Sequence, residues 1–253
     1  MPVQFVSGNA MSISMPEVVY LCLIAFLAGF VQGLTGFGVM LVALPLMVLF
    51  IDIKSAIPLI ILLGIVINSM LFFQLAKYFE RKKWLPLFLS SLPGILIGIY
   101  VLKTVETRSL EILLGVVILF TATATWISKS PEKELKKIWA YAAGFTAGIL
   151  GGSIGAPGPP IIVYTSLQPW TKQQIKATMV AFFALGGAGI IIFYFFSGFI
   201  TEDVLLSFKY CVLPLVFGVL TGVFLFNRIN EAIYRRIVHV FLFILGAMML
   251  LKG

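Results

Sequence analysis

Gly148-Ile-Leu-Gly-Gly-Ser-Ile-Gly-Ala-Pro-Gly-Pro-Pro160 interrupts an apolar run with five glycines and three prolines. Irregular backbone of this kind cannot face lipid, because hydrocarbon offers its N–H and C=O groups no water. The stretch must be buried in protein or line a wet cavity. A counterpart lies 115 positions earlier: Ala28-Gly-Phe-Val-Gln-Gly33 reads like Ala143-Gly-Phe-Thr-Ala-Gly148, Gly36 matches Gly151, and Pro45 matches Pro160, all without a gap. A gapless match of Gly and Pro across half a chain marks a duplicated unit. The match continues at an offset of 122 for Ile53-Lys54 with Ile175-Lys176 and Gly64 with Gly186, and of 124 for Gly94 and Gly98 with Gly218 and Gly222. The drift is that of loops of unequal length.

The 253-residue chain is 60% hydrophobic and 11% charged, with a mean hydropathy of +1.09. A soluble domain carries about 25% charged residues, so the sequence predicts a multi-pass protein of the lipid bilayer, expected in the inner (cytoplasmic) membrane. The net charge of +8 comes from basic residues in short loops between apolar runs. Cytoplasmic loop bias accounts for that placement, and nucleic acid is not an expected partner. Cys22 and Cys211 lie inside apolar runs with no CxxC spacing; they read as small hydrophobes rather than metal ligands or a disulfide. No Lys or Arg precedes Lys54, so the first apolar segment lacks the basic flank of a cleaved signal and is expected to remain as a membrane helix.

The apolar segments of the first half are 17–35, 39–50, 53–78, 85–102 and 110–127. Those of the second are 137–151, 159–166, 172–196, 204–226 and 232–251. The short segment 39–50 covers only about 18 Å as a helix, too little to span a core of roughly 30 Å. Each half therefore opens with a broken pair, either a full helix plus a partial one or a hairpin dipping in from one side. The charged stretch 128–137 joins a repeat at 1–127 to one at 138–253. Lys77, Arg81, Lys82 and Lys83, the linker lysines, and Arg228, Arg235 and Arg236 mark cytoplasmic loops. The loop 197–203 carries Glu202 and Asp203 and no cation, and belongs outside. Loops 77–83 and 197–203 are equivalent in the two halves yet opposite in charge character. The expected fold is all-α and integral to the membrane. It has two inverted repeats of four to five segments each, with broken or re-entrant Gly/Pro-rich helices meeting at the membrane midplane, an architecture of secondary transporters.

From Glu17 to Gly253 the sequence resembles the TauE/SafE family of sulfite and organosulfonate permeases. The most specific parts are Gly29-Phe-Val-Gln-Gly-Leu-Thr-Gly-Phe-Gly38, Gly144-Phe-Thr-Ala-Gly-Ile-Leu-Gly-Gly-Ser-Ile-Gly155 and Pro159-Pro160. The resemblance implies a duplicated transporter of small sulfur-containing anions. Where the family often has three glycines in a row, this chain has Gly151-Gly152-Ser153.

Glycine turns at half-helix ends expose backbone N–H groups that hold an anion without a formal charge. The expected substrate contacts are Gln32, Gly33, Thr35, Gly36 and Gly38 at the first break, and Gly148, Gly151, Gly152, Ser153 and Gly155 at the second. Asn68 and Thr178 add polar groups from the long helices. Ser153 is expected to supply the hydroxyl that a glycine lacks. The competing role for the glycines is close helix packing. His239, the single histidine, lies in the last apolar segment and reads as a hydrogen-bonded core histidine. No Asp or Glu sits centrally in an apolar segment, which disfavours a carboxylate proton relay. Gly151-Gly-Ser-Ile-Gly155 also fits the G-x-S-x-G elbow, which needs a strand before its turn. An intramembrane serine protease using Ser153 and His239 and a non-transporting scaffold are the alternatives to a carrier. No catalytic residue, metal or cofactor is expected, and a homo-oligomer is left open.

Overall fold

A computed structural model describes residues 15–35, 39–127 and 134–226. These form α1 (Met15–Thr35), α2 (Val39–Met47), α3 (Ile53–Leu75, extended by a 3-10 turn Ala76–Tyr78), α4 (Arg81–Thr104), α5 (Thr107–Ile127), α6 (Lys137–Ile154), α7 (Gly158–Ser166), α8 (Lys172–Phe196) and α9 (Glu202–Phe226). The described residues contain no strand, and the fold is all-α. Five of these helices are long and apolar enough to cross a membrane: α1, α3 with its 3-10 turn, α4, α8 and α9. The expected segment 232–251 and the linker core 128–133 lie outside the described residues.

Local chemistry sets the ends. The Asp52 carboxylate accepts the Lys54 N–H at the start of α3 (2.8 Å). Thr171 and Gln174 form a reciprocal capping box at the start of α8, satisfying N–H groups that a helix leaves unpaired. The expected stop at Gly151 is displaced: α6 runs on through Gly151-Gly152-Ser153 and ends at Gly155. Gly155 adopts φ +66°, and Ala156 N–H reaches back to the Leu150 carbonyl (3.1 Å). This left-handed closure needs a residue without Cβ. Pro159 and Pro160 then open α7, where a missing N–H costs no helical bond.

The two hairpins open at opposite ends of the bundle. At one end, Leu135 N–H donates to Gln168 Oε1 and the Trp170 indole to Glu134 Oε1, each at 3.2 Å, so α6 starts where α7 finishes. Gln174 of α8 donates to Glu80 before α4 there as well. This lysine-rich end carries Lys77, Arg81, Lys82, Lys83, Lys136 and Lys137. At the other end Tyr20 of α1 stacks on Phe50 beyond α2, with ring centroids 4.9 Å apart.

The tightest packing joins the halves rather than staying within them. Gly29 and Gly33 of α1 face Leu215 and Val219 of α9, while Gly218 and Gly222 face Phe26 and Phe30. Register rises together on both helices, so they run parallel. The same arrangement holds α6 on α4: Gly144 and Gly148 meet Leu87 and Ser91, and Gly94 and Gly98 meet Phe145 and Ile149. At all eight glycines a Cβ would lie 2.1 to 2.4 Å from a facing heavy atom, a backbone carbonyl oxygen at that range in every case. Cys22 and Cys211 belong to the α1–α9 seam as free thiols, with Cys22 Sγ donating to the Tyr210 carbonyl (3.6 Å). Helices α3 and α8 cross in the middle, Gly187 against Ile61 and Ile65.

The backbone contact makes a directional prediction. Gly218→Leu and Gly94→Leu should each destabilise the folded protein by about 1–3 kcal/mol or more, as overpacking does. Gly189→Leu, with nothing within 4 Å of its Cβ position, should leave the melting temperature in detergent close to that of the parent.

Candidate functional site

A cavity of about 70 Å³ lies where the two hairpin tips meet. A water needs about 10–15 Å³ by this measure, so the space holds several waters or a small anion. Gln32, Val39, Met40 and Leu41 face it from the first break, and Gly155, Ala156, Pro157, Gly158 and Ile162 from the second. The crossing helices close it with Ile60, Ile61, Gly64 and Asn68 of α3 and Phe183, Gly187 and Ile190 of α8. Among the described residues of this lining there is no Lys, Arg, His, Asp or Glu. The described residues hold no cluster of His, Cys, Asp and Glu fit for a metal.

The first break is held by a chain of amides. Val39 N–H donates to Gln32 Oε1 (3.1 Å), Gln32 Nε2 to Asn68 Oδ1 (2.9 Å), and Asn68 Nδ2 to the Gly64 carbonyl (2.7 Å). Both side chains are at least 95% buried. Gln32 thus caps α2 from across the break and ties it to α3. The second break is held differently: the buried Tyr194 hydroxyl donates to the Gly152 carbonyl (2.8 Å) in the last turn of α6.

Of the residues expected from sequence, Gln32, Asn68 and Gly155 line the cavity. Gly33, Gly148 and Gly152 instead press on the backbones of α9 or α4, with a Cβ position 2.2 to 2.5 Å from a facing carbonyl. Gly148 also borders a small void of about 10 Å³ beside the cavity. Gly151 sits one layer back, its Cβ position 3.1 Å from Ile190 and Pro157. Ser153 is buried, and its hydroxyl donates to the Ile149 carbonyl of its own helix (2.7 Å); its backbone lies against Gly98 of α4. Thr178 is buried away from the lining. Thr35 ends α1, and Gly36, Gly38 and His239 lie outside the described residues. The G-x-S-x-G stretch is helical through Ile154 and lacks the strand a nucleophile elbow requires.

Sequence reasoning did not single out Phe183, Gly187 or Ile190. The pairing of Gly64 with Gly186 was the available signal, since small residues mark where α3 and α8 approach.

The described lining can stabilise negative charge through neutral donors. The starts of α2 and α7 both face the cavity, each a helix end worth about 0.3–2 kcal/mol toward an anion. Three prolines remove N–H groups at α7, and the Ala156 and Val39 N–H groups are already spent. Gly158 and the first-turn residues Met40 and Leu41 bring backbone N–H groups to the lining; the Gln32 and Asn68 amides also border it, each already giving one hydrogen to the chain of amides.

The sequence profile of the sulfite exporter TauE/SafE family matches residues 21–249. A curated protein of Cupriavidus necator, named probable sulfite/organosulfonate exporter TauE, is 24% identical over 166 residues. That alignment covers 64% of this chain and 65% of the relative. No solved structure matches.

The amide chain carries a prediction. Gln32→Met and Asn68→Leu should each lower stability by about 1–3 kcal/mol, since each leaves a buried partner unsatisfied. The double variant should lose less than the sum, with a coupling of about 0.5–3 kcal/mol in chemical or thermal unfolding.

Proposed function

The chain belongs to the sulfite exporter TauE/SafE family, and from that premise we propose that it is a secondary transporter of small sulfur-containing anions. It moves sulfite, a sulfonate or a related oxyanion across the cytoplasmic membrane by alternating access. Its two halves, 1–127 and 138–253, are inverted repeats joined by the linker 128–137, and the lysine-rich end is cytoplasmic. The observation that carries this reading is the cavity between two hairpin tips that enter from opposite ends of the bundle. Parallel pairing of α1 with α9 and of α4 with α6 is what a two-fold axis in the membrane plane would produce. Broken helices around a midplane site are the usual construction of such carriers.

The substrate site is assigned to Gln32, Asn68, Gly155 and the starts of α2 and α7. It contains neutral donors and apolar walls, so binding should be weak, in the micromolar to millimolar range, and release easy. Ser153 is reassigned from substrate contact to packing, because its hydroxyl is bonded within α6. The protease alternative is not favoured, because the G-x-S-x-G stretch lies in α6 with no strand before it.

The test is flux into proteoliposomes of purified protein, comparing sulfite, sulfate, thiosulfate, sulfoacetate and an unrelated carboxylate. Saturable flux of a sulfur anion in preference to the carboxylate is expected; no saturable flux of any of them would sink the reading. Asn68→Leu should raise KM about ten-fold or more, the scale of a lost hydrogen bond to a charged group. Ser153→Ala should stay within about two-fold of the parent.

A further inference from the structure

Three buried side-chain groups among the described residues have no hydrogen-bond partner: the Trp84 indole N–H, the Gln168 amide nitrogen and the Thr178 hydroxyl. All three border one apolar cluster near the lysine-rich end. Trp84 is a member, together with residues of α6, α7 and α8. Gln168 accepts from Leu135, which packs on the cluster. Thr178 lies on the α8 face that carries Ile175 and Phe182, its neighbours at −3 and +4, and both belong to or pack on the cluster. Phe183, next along α8, packs on the cluster and lines the central cavity. The cluster therefore fills the space between the lysine-rich end and the cavity.

The chemistry of the three groups is one-sided. An indole N–H and an amide NH2 only donate, and a hydroxyl can donate. Their common complement is a ligand rich in acceptors. Buried donors without partners are costly and uncommon, and three around one cluster call for an occupant. Trp84 stacks on Phe88 and meets the edge of Phe79, contacts that fix the ring without using its N–H.

We propose that this cluster is a second anion station, on the route between the lysine-rich end and the cavity, where Trp84, Gln168 and Thr178 donate to the passing oxyanion. When packed, the cluster is the closed gate of that route. The proposal rests on the transport reading but not on the residues assigned to the central site.

The test uses the full chain in proteoliposomes, with Cys22→Ala and Cys211→Ala as background. Thr178→Cys is exposed to the membrane-impermeant anion methanethiosulfonate ethylsulfonate from the lysine-rich side. Val180→Cys, on the face turned to the other core cluster, is the control. Thr178→Cys should be modified, methanesulfonate should slow its modification several-fold, and Val180→Cys should stay unmodified. Modification without protection would mean a water-filled vestibule and overturn the station. No modification while sulfur-anion flux persists would overturn it too and leave the transport reading standing. Absence of all flux would remove both. Independently of folding in the cysteine background, Trp84→Phe and Thr178→Val should each raise KM for the transported anion about two- to ten-fold, the scale of one hydrogen bond, with an unchanged melting temperature. A lowered melting temperature at constant KM would show a structural role alone and overturn the assignment.

Discussion

A helix that ends inside a bundle surrounded by hydrocarbon must hand its unpaired N–H and C=O groups to something other than water. Helices α1 and α6 end this way and α2 and α7 begin this way, and the molecule is arranged around how these ends are satisfied. Gln32 takes the Val39 N–H across the first break. Gly155 turns the chain at the second so that Ala156 can return to Leu150, and Tyr194 takes the Gly152 carbonyl. The repeat supplies the two breaks, but not the same means of closing them. Gln32 aligns with Ala147 at the offset of 115, and Tyr194 with Phe72 at the offset of 122. The two breaks thus match in glycine and proline but are closed by different side chains. The cavity inherits that asymmetry, with its amides on the first half and mostly backbone and apolar groups on the second.

The seams between halves are the second consequence of putting helices in lipid. Apolar side chains gain little from leaving hydrocarbon for a helix interface, so association relies on close contact and on small residues that permit it. Glycines four apart on α1, α4, α6 and α9 bring backbone against backbone in two parallel pairs, each pair drawing one helix from either half. The crossing of α3 and α8 relies on larger side chains at Ile61 and Ile65.

This division explains which parts of the structure were legible. The spacing of Gly and Pro located both breaks, and the apolar runs located the helices to within a few residues. Gln32 and Asn68 stood out as amides in apolar surroundings, and both line the cavity. A glycine, however, looks the same in sequence whether it opens a turn or admits a neighbouring backbone. Gly151 and Gly152 were therefore read as part of the break, while α6 continues through them because α4 lies against Gly152. Ser153 has a related ambiguity: its hydroxyl bonds the Ile149 carbonyl four residues back, as a serine inside a helix can, and nothing in sequence order tells that bond from one to a ligand. Phe183 and Ile190 were invisible because apolar residues on a membrane helix carry no mark of which neighbour they face.

The placement of charge follows from the same solvent argument. A lysine or arginine at the bilayer midplane is expensive to bury. Here the cations gather at the bundle end, around Lys77 to Lys83 and Lys136 to Lys137, where water keeps their desolvation cost low. In the transport reading proposed above, they raise the local concentration of anions at the mouth of the route. Inside, that reading hands the anion to helix ends and amides, each interaction small and none requiring a buried countercharge. It thereby separates attraction from binding along the path. The long-range part uses full charges in water, and the short-range part uses dipoles where full charges would be prohibitive.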